Sequence, residues 1–353
     1  MSSAAGKSRK TLLLLTVDTE TSMAGVRPLP PDAMVYGRVG GGVYGIERIM
    51  DCCDARAFKA TFFVSTLETL HFGDGHVRRI CATVLDRGHD AQLHLHPNWW
   101  RGQFARKQLT SYSLDEQLEI LAEAKAAFRR ACGADPLAHR AGGLWIDRDT
   151  LRALVAHHIR FDASVAAGYH PYDLGDGVAA PNVPRWLGDL VEVPVTTFTQ
   201  VRLGSWAPRR NLDLNANSLS ELCFVVDRAA REGVAAVSLL LHSFAFVGRN
   251  REGTKFWPAA AELARFERFL DFVASRRDVE AVTFRELSAR LAAEPALLEG
   301  PDFAPTAGLV RTYRRSWERF GTGWKSKAFA LGLPAGVAGL AALILGALWW
   351  VLR

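Results

Sequence analysis

Acids, imidazoles and a guanidinium recur where apolar runs end along this 353-residue chain. Asp18 and Glu20 follow TLLLLTV, and His94 and His96 end the DAQLHLH run before Pro97. Arg140 sits beside His139, Asp162 follows Phe161, and His242 closes AVSLLLH. Residues two apart on an extended strand share a face, so each doublet can aim both side chains at one place. A carboxylate with imidazoles suits zinc or a similar divalent ion, which makes a nucleophile of water at neutral pH. A further carboxylate can serve as general base, and a further histidine as general acid. Several strand ends delivering acids, imidazoles and a guanidinium to one rim make a site hypothesis. Taken singly each has a plainer use: Asp18 and Glu20 as turn residues, the histidines as strand polar groups, Asp162 as a cap.

The elements that would position these groups are readable from periodicity. Continuous apolar runs predict strands at 11–17, 60–64, 161–165, 190–195, 236–241 and 279–284, with shorter ones at 90–95 and 139–141. Between them, helical spacing predicts helices over 45–55, 80–85, 148–158, 218–232 and 259–276. Ser113-Leu-Asp-Glu116 resembles a capping box opening a long helix to about Arg130. Strands alternating with helices argue for a parallel α/β sheet or barrel, whose carboxyl edge gathers ligands and catalytic groups. Every ionisable group named above falls on that edge.

Five ordered segments resemble the motifs of the polysaccharide deacetylases, the NodB-type family 4 carbohydrate esterases. They are Asp18-Thr-Glu20, Gly88-His-Asp-Ala-Gln-Leu-His94-Leu-His96-Pro, His139-Arg140-Ala-Gly-Gly143, Asp162-Ala-Ser164 and Leu241-His242-Ser243. The resemblance covers residues 10–290 and implies a distorted (β/α)7-type barrel that removes an N-acyl group from an amino sugar with a divalent metal, zinc by preference. It implies that Asp18 is the base, that Arg140 holds Asp18 ionised, and that His242 is the acid, paired with Asp162. Glu20 takes the place of the family's metal Asp, and His94 matches its first metal histidine. The second metal histidine normally lies four positions later, where this chain has Asn98; His96 from the same strand face, or the Asn98 amide oxygen, would complete the set. Loss of that ligand would instead leave an inactive sugar- or head-group-binding relative. Trp99, Trp100 and Trp145 suit a sugar-stacking wall or simple packing.

The charge is unevenly placed. Residues 311–327 carry six Lys and Arg against Glu318, while 328–352 (AFALGLPAGVAGLAALILGALWWVL) carry none. About 20 apolar residues cross a bilayer, so 328–352 reads as a transmembrane helix, and the basic collar before it puts the body on the cytoplasmic side. Residues 1–10 read as a disordered N-terminus, 11–290 as the catalytic domain, and 291–327 as linker and juxtamembrane segment. Confinement of the positive excess to the collar argues against nucleic acid as a partner. Five cysteines without a C-x-x-C pair suggest neither a disulfide framework nor a cysteine zinc site. The expected protein is a membrane-anchored hydrolase whose partner is an amino-sugar glycan or lipid-linked sugar.

Overall fold

The structure, a computed structural model, describes residues 9–24, 27–102, 106, 108–175, 177–320 and 332. Nine strands form one sheet: β1 (Thr11–Thr19), β2 (Thr61–Ser65), β3 (Asp90–Leu95), β4 (Ala138–Ala141), β5 (Phe161–Asp162), β6 (Arg185–Leu187), β7 (Leu190–Glu192), β8 (Ala236–His242) and β9 (Val279–Val282). Their order is β6-β7-β5-β4-β3-β2-β1-β8, with β9 against the first half of β1. All pairings are parallel except that of the edge strand β6 with β7. The helices that matter below are α1 (Ile46–Asp54), α2 (Asp74–Leu85), α3 (Leu114–Cys132), α4 (Arg148–Ala156), α5 (Leu219–Glu232), α6 (Ala260–Ala274), α7 (Phe284–Ala293) and α8 (Leu309–Phe320).

β1 is buried along its whole length, and its Leu12–Leu15 run is apolar because both of its faces are covered. Leu13, Leu15 and Val17 join the larger core under the helices, with Ile49, Ile80, Leu121 and Phe266. Leu12 and Leu14 point the other way, into a second cluster with Phe63, Ala138, Phe161, Val191 and Val193. Phe284, Leu287 and Leu291 of α7 belong to that inner cluster. Phe284 and Arg285 donate their backbone N–H groups to Thr61 Oγ1 (3.0 Å) and Asp90 Oδ2 (3.1 Å), at the starts of β2 and β3. The curled sheet is thus plugged at its amino end and open at its carboxyl end. It does not close strand to strand: the free edge of β8 takes hydrogen bonds from irregular segments, Thr196 N to Ser238 O and Leu214 N to Leu240 O. The expected α/β barrel is observed in this incomplete, curled form.

Some boundaries move. The run expected as strand through residue 284 ends at Val282, and α7 begins with a Thr283–Glu286 capping box that the periodicity alone had not singled out. The expected linker is no free tether over its first part. Leu297, Leu298, Phe303 and Ala307 are buried, Thr306 bridges Thr199, and α8 lies along α5 with Arg315 paired to Glu221 at 2.8 Å. Apolar side chains spaced through a Pro- and Ala-rich stretch were enough to fix it to the body. Within the expected disordered N-terminus, Arg9 donates to Ala296 O and Glu299 O. Cys52, Cys53 and Cys81 are buried, and all five cysteines are free thiols. The expected transmembrane helix at 328–352 lies outside the described residues, apart from Gly332; among the described residues no helix is long and apolar enough to cross a membrane.

Candidate active site

Register alone brings the expected residues together. Asp18 on β1 is level with His242 on β8, and His94 on β3 is level with Arg140 on β4. The even-numbered positions of β1 face the inside of the curl, so Thr16 and Asp18 stand above Leu12 and Leu14. Arg140, fully buried, donates from Nη1 to Asp18 Oδ1 (2.9 Å) and Thr16 Oγ1 (2.8 Å), and from Nε to Ala163 O (2.9 Å). Its guanidinium lies over the Phe63 ring at 4.4 Å. A buried carboxylate needs such a partner, since an unpaired charge in the interior costs several kcal/mol.

Above this pair lies a cluster of ligand-type groups. Glu20, His94 and His96 each offer an atom within 4.8 Å of the others. His94 donates from Nδ1 to Arg140 O (2.9 Å), which turns Nε2 toward Glu20 Oε2 at 3.3 Å. His96 Nε2 is 2.5 Å from the same oxygen. Burial opposes ionisation of Glu20, but the His96 and His94 imidazoles outweigh it and hold the carboxyl well below the usual range. Burial also disfavours a charged His94, yet Asp18 and Glu20 together push its pKa up. The pocket therefore demands positive charge between two carboxylates, and a tautomer-fixing bond behind a ring is how proteins hold a metal histidine. The residues fit a divalent cation.

His242 looks on from β8, its Nε2 4.0 Å from Glu20 Oε1 and its side chain 29 % exposed. Asn98 lines one cavity with Glu20 and His96. Its Nδ2 reaches Met23 Sδ (3.3 Å), while its buried Oδ1 has no protein partner among the described residues. Asn98, Glu20, His96, Met23 and Trp99 line a cavity of about 200 Å³.

Asp162 departs from the expectation. It lies on the helix-facing side of β5, accepting from His139 Nδ1 (2.7 Å) and from Ser164 N (3.0 Å), with Glu192 beside it. Strand alternation is the reason: Phe161 and Ala163 take the inner face, so Asp162 takes the outer one. The pair expected between Asp162 and His242 is replaced by Asp162–His139. Burial opposes ionisation of Asp162, but the His139 hydrogen bond and charge hold its pKa low, while burial and the Asp162 charge push that of Glu192 well up. Trp99 and Trp100 are buried, Trp99 with an edge on that same cavity; Trp145 is half-buried and stacked on His170 at 3.7 Å.

Sequence reading passed over three supports. Ser243 Oγ donates to Glu20 O (3.0 Å) and accepts from Glu20 N (3.3 Å), clamping the loop that carries the carboxylate. Glu68 accepts from Thr21 N (2.7 Å) and bonds His76. Gly142 packs so closely on the His96 ring that a Cβ there would lie 2.3 Å from it. Gly142-Gly143 directly after a strand carrying Arg140 was a visible signal of close approach. Glu68, distant in sequence, left none.

Comparison with known proteins places this architecture. No family model matches the chain, and no curated protein matches it by sequence. Solved structures do. A Mycobacterium smegmatis protein named as a polysaccharide deacetylase superposes with a TM-score of 0.51 at 18% identity, over 85% of this chain and 96% of that one. The fold is that of the polysaccharide deacetylases. An allantoinase matches it equally well, with a TM-score of 0.51 at 14% identity, over 82% of this chain and 92% of its own.

Proposed function

We propose that this chain is a metal-dependent amidohydrolase that removes an N-acyl group, acetyl in the simplest case, from an amino sugar. The observation that carries the reading is the convergence of Glu20, His94 and His96 on one point, with His242 across from them and the Asp18–Arg140 pair beneath. Glu20, His94 and His96 would hold the cation, and Asn98, with its Oδ1 unpaired, lines the same cavity. When bound, a divalent cation such as zinc acidifies water and polarises the acyl carbonyl.

The remaining work belongs to the chain. Asp18, held in place by Arg140, takes the proton from the attacking water. The departing amine is a poor leaving group, and His242, open to the cavity on one side, donates the proton it needs. His96 stands where the resemblance lacks its second histidine, which favours an active site over an inactive relative. Residues 328–352 would anchor the body to a membrane with the catalytic domain on the cytoplasmic side. That placement makes a lipid-linked amino sugar the favoured substrate over a finished extracellular polymer.

The test is release of acetate from N-acetyl amino-sugar substrates by purified, metal-loaded protein, with allantoin as a non-sugar amide for comparison. His94→Ala and His242→Ala should each abolish most of the turnover. Full activity in either variant, or a protein that takes up no stoichiometric metal, would reject the assignment.

A further inference from the structure

The chain between β7 and α5 makes an excursion that the proposed chemistry does not use. Gln200 N donates to Pro208 O (2.9 Å), and Leu203 and Trp206 exchange both backbone hydrogen bonds, closing a hairpin whose tip is Leu203-Gly-Ser-Trp206. Leu203 is 55% exposed, and Trp206, at 58%, is the most exposed aromatic side chain among the described residues. Arg202 beside them is exposed as well, and residues 201–212 contain three arginines and no acid. An uncovered Leu and Trp flanked by cationic side chains costs solubility and suits a surface that is apolar just below an anionic layer.

The direction in which this tip points follows from its neighbours. Thr199 bridges Thr306 in parallel, and Ala307 and Gly308 donate to Thr199 O and Gln200 O. The hairpin therefore runs beside the start of α8 and in the same sense, its tip roughly 10 Å beyond Gln200 at about 3.3 Å per residue. α8 in turn lies antiparallel to α5: Arg311 sits over Phe224, Arg315 pairs with Glu221, and Glu318 accepts from Leu219 N. The first residues of α5 are at the open end of the sheet, because Leu214 N bonds Leu240 O and Asn215 Nδ2 bonds Ala245 O, just past His242. Thr197 and Arg209, at the hairpin's base, both reach Ala167 O beyond the end of β5. Hairpin tip, end of α8 and barrel mouth thus share one end of the molecule. α8 carries four of the six collar cations, and after it the sequence has Lys325, Lys327 and then 25 uncharged residues.

We propose that the Arg202–Trp206 hairpin tip is a second membrane contact, seated in the interface of an anionic bilayer and holding the barrel mouth toward that surface. Leu203 and Trp206 enter the headgroup–acyl boundary, and Arg202 meets lipid phosphate. The inference rests on the reading of residues 328–352 as an anchor, and it deepens the proposed substrate class: the mouth faces an amino sugar carried by a lipid of the same bilayer.

The test uses the full chain reconstituted in vesicles of phosphatidylcholine with phosphatidylglycerol. An environment-sensitive fluorophore is placed at Ser205→Cys, with Ala289→Cys on α7, at the plugged end, as the control, and labelling of the parent protein is subtracted. With brominated lipid, the label at 205 should lose most of its emission and shift to the blue, while that at 289 stays unquenched. Adding Leu203→Ser and Trp206→Ser should restore emission at 205, as should pure phosphatidylcholine in high salt in part. A label at 205 that behaves like the one at 289 overturns the proposal. Alkaline carbonate extraction separates the two readings: a chain that resists extraction with 205 unquenched keeps its anchor and loses the docking contact. A chain extracted by carbonate but quenched at 205 beforehand keeps the contact and loses the anchor.

Discussion

Gly142→Ala should disable metal binding without touching a ligand. Gly142 begins the turn after β4, and its backbone is one that alanine can adopt. The obstacle is the His96 ring, whose Cε1 and Nδ1 would each lie 2.3 Å from the new methyl, where ordinary contacts begin at 3.4 Å. Backbone on both sides is tied, since Ala141 N donates to Ser164 Oγ at 2.9 Å and Gly143 O accepts from His170 Nε2 at 2.9 Å. The ring must therefore move by about 1 Å, enough to spoil a coordination distance that tolerates only about 0.2 Å. Disturbing the support of a metal histidine typically costs 10- to 100-fold in affinity or activity, or about 1.4–2.8 kcal/mol. Calorimetric titration of the metal-free protein with zinc, run beside acetate release and a melting curve, reads this directly. The expected pattern is a weakened zinc isotherm and reduced turnover with a melting point close to the parent. Parent-like affinity in Gly142→Ala, with His96→Ala clearly impaired, would show that the ring yields freely and refute the steric argument. Parent-like affinity in both would remove His96 from the ligand set.

Asp162→Asn should reduce activity by less than about tenfold and leave the His242 limb of the pH–rate profile unmoved, while lowering stability by about 1–3 kcal/mol through the His139 bond. A shifted limb would restore the pairing with His242 that the structure replaces. His89 should make the fold acid-sensitive: burial lowers its pKa from 6.5 to about 4, against the pull of Asp54. The unfolded chain then binds the proton more readily, so stability present above pH 6.5 is lost as pH falls toward 4, by something on the order of 2 kcal/mol. Urea midpoints across that range should slope in the parent and flatten in His89→Gln. Arg315→Ala strands the buried Glu221 carboxyl and should cost about 3 kcal/mol, with α8 opening to protease. Glu221→Gln in the same chain should return much of that loss.

Much of the fold was legible locally. A strand covered on both faces needs a continuous apolar run, and Leu12–Leu15 of β1 and Leu239–Leu241 of β8 declare themselves that way; the Ser113 box opening α3 is a contact within one turn. The helix α7 carried the same kind of signal in Thr283 and Glu286, hidden by the apolar run leading into it. The spacing of His94 and His96 fixed that both would face one side, which is why a ligand pair could be read from residue types alone.

What the chain could not declare in one dimension is which face each strand turns inward, and who stands next to whom across strands. A two-residue period says that Asp162 and Ala163 face apart but not which looks toward His242; only the packing of Phe161 and Ala163 into the inner cluster settles it. The nearness of Gly142 to His96, of Glu68 to Thr21 and of Arg315 to Glu221 each joins residues more than 40 apart, and no local periodicity encodes such contacts. Residue types and spacing determined the chemistry on offer, because ligand and proton-transfer capacity belongs to side chains. The tertiary structure decided which of them meet, because burial of one sheet face against another element is a property of the whole chain.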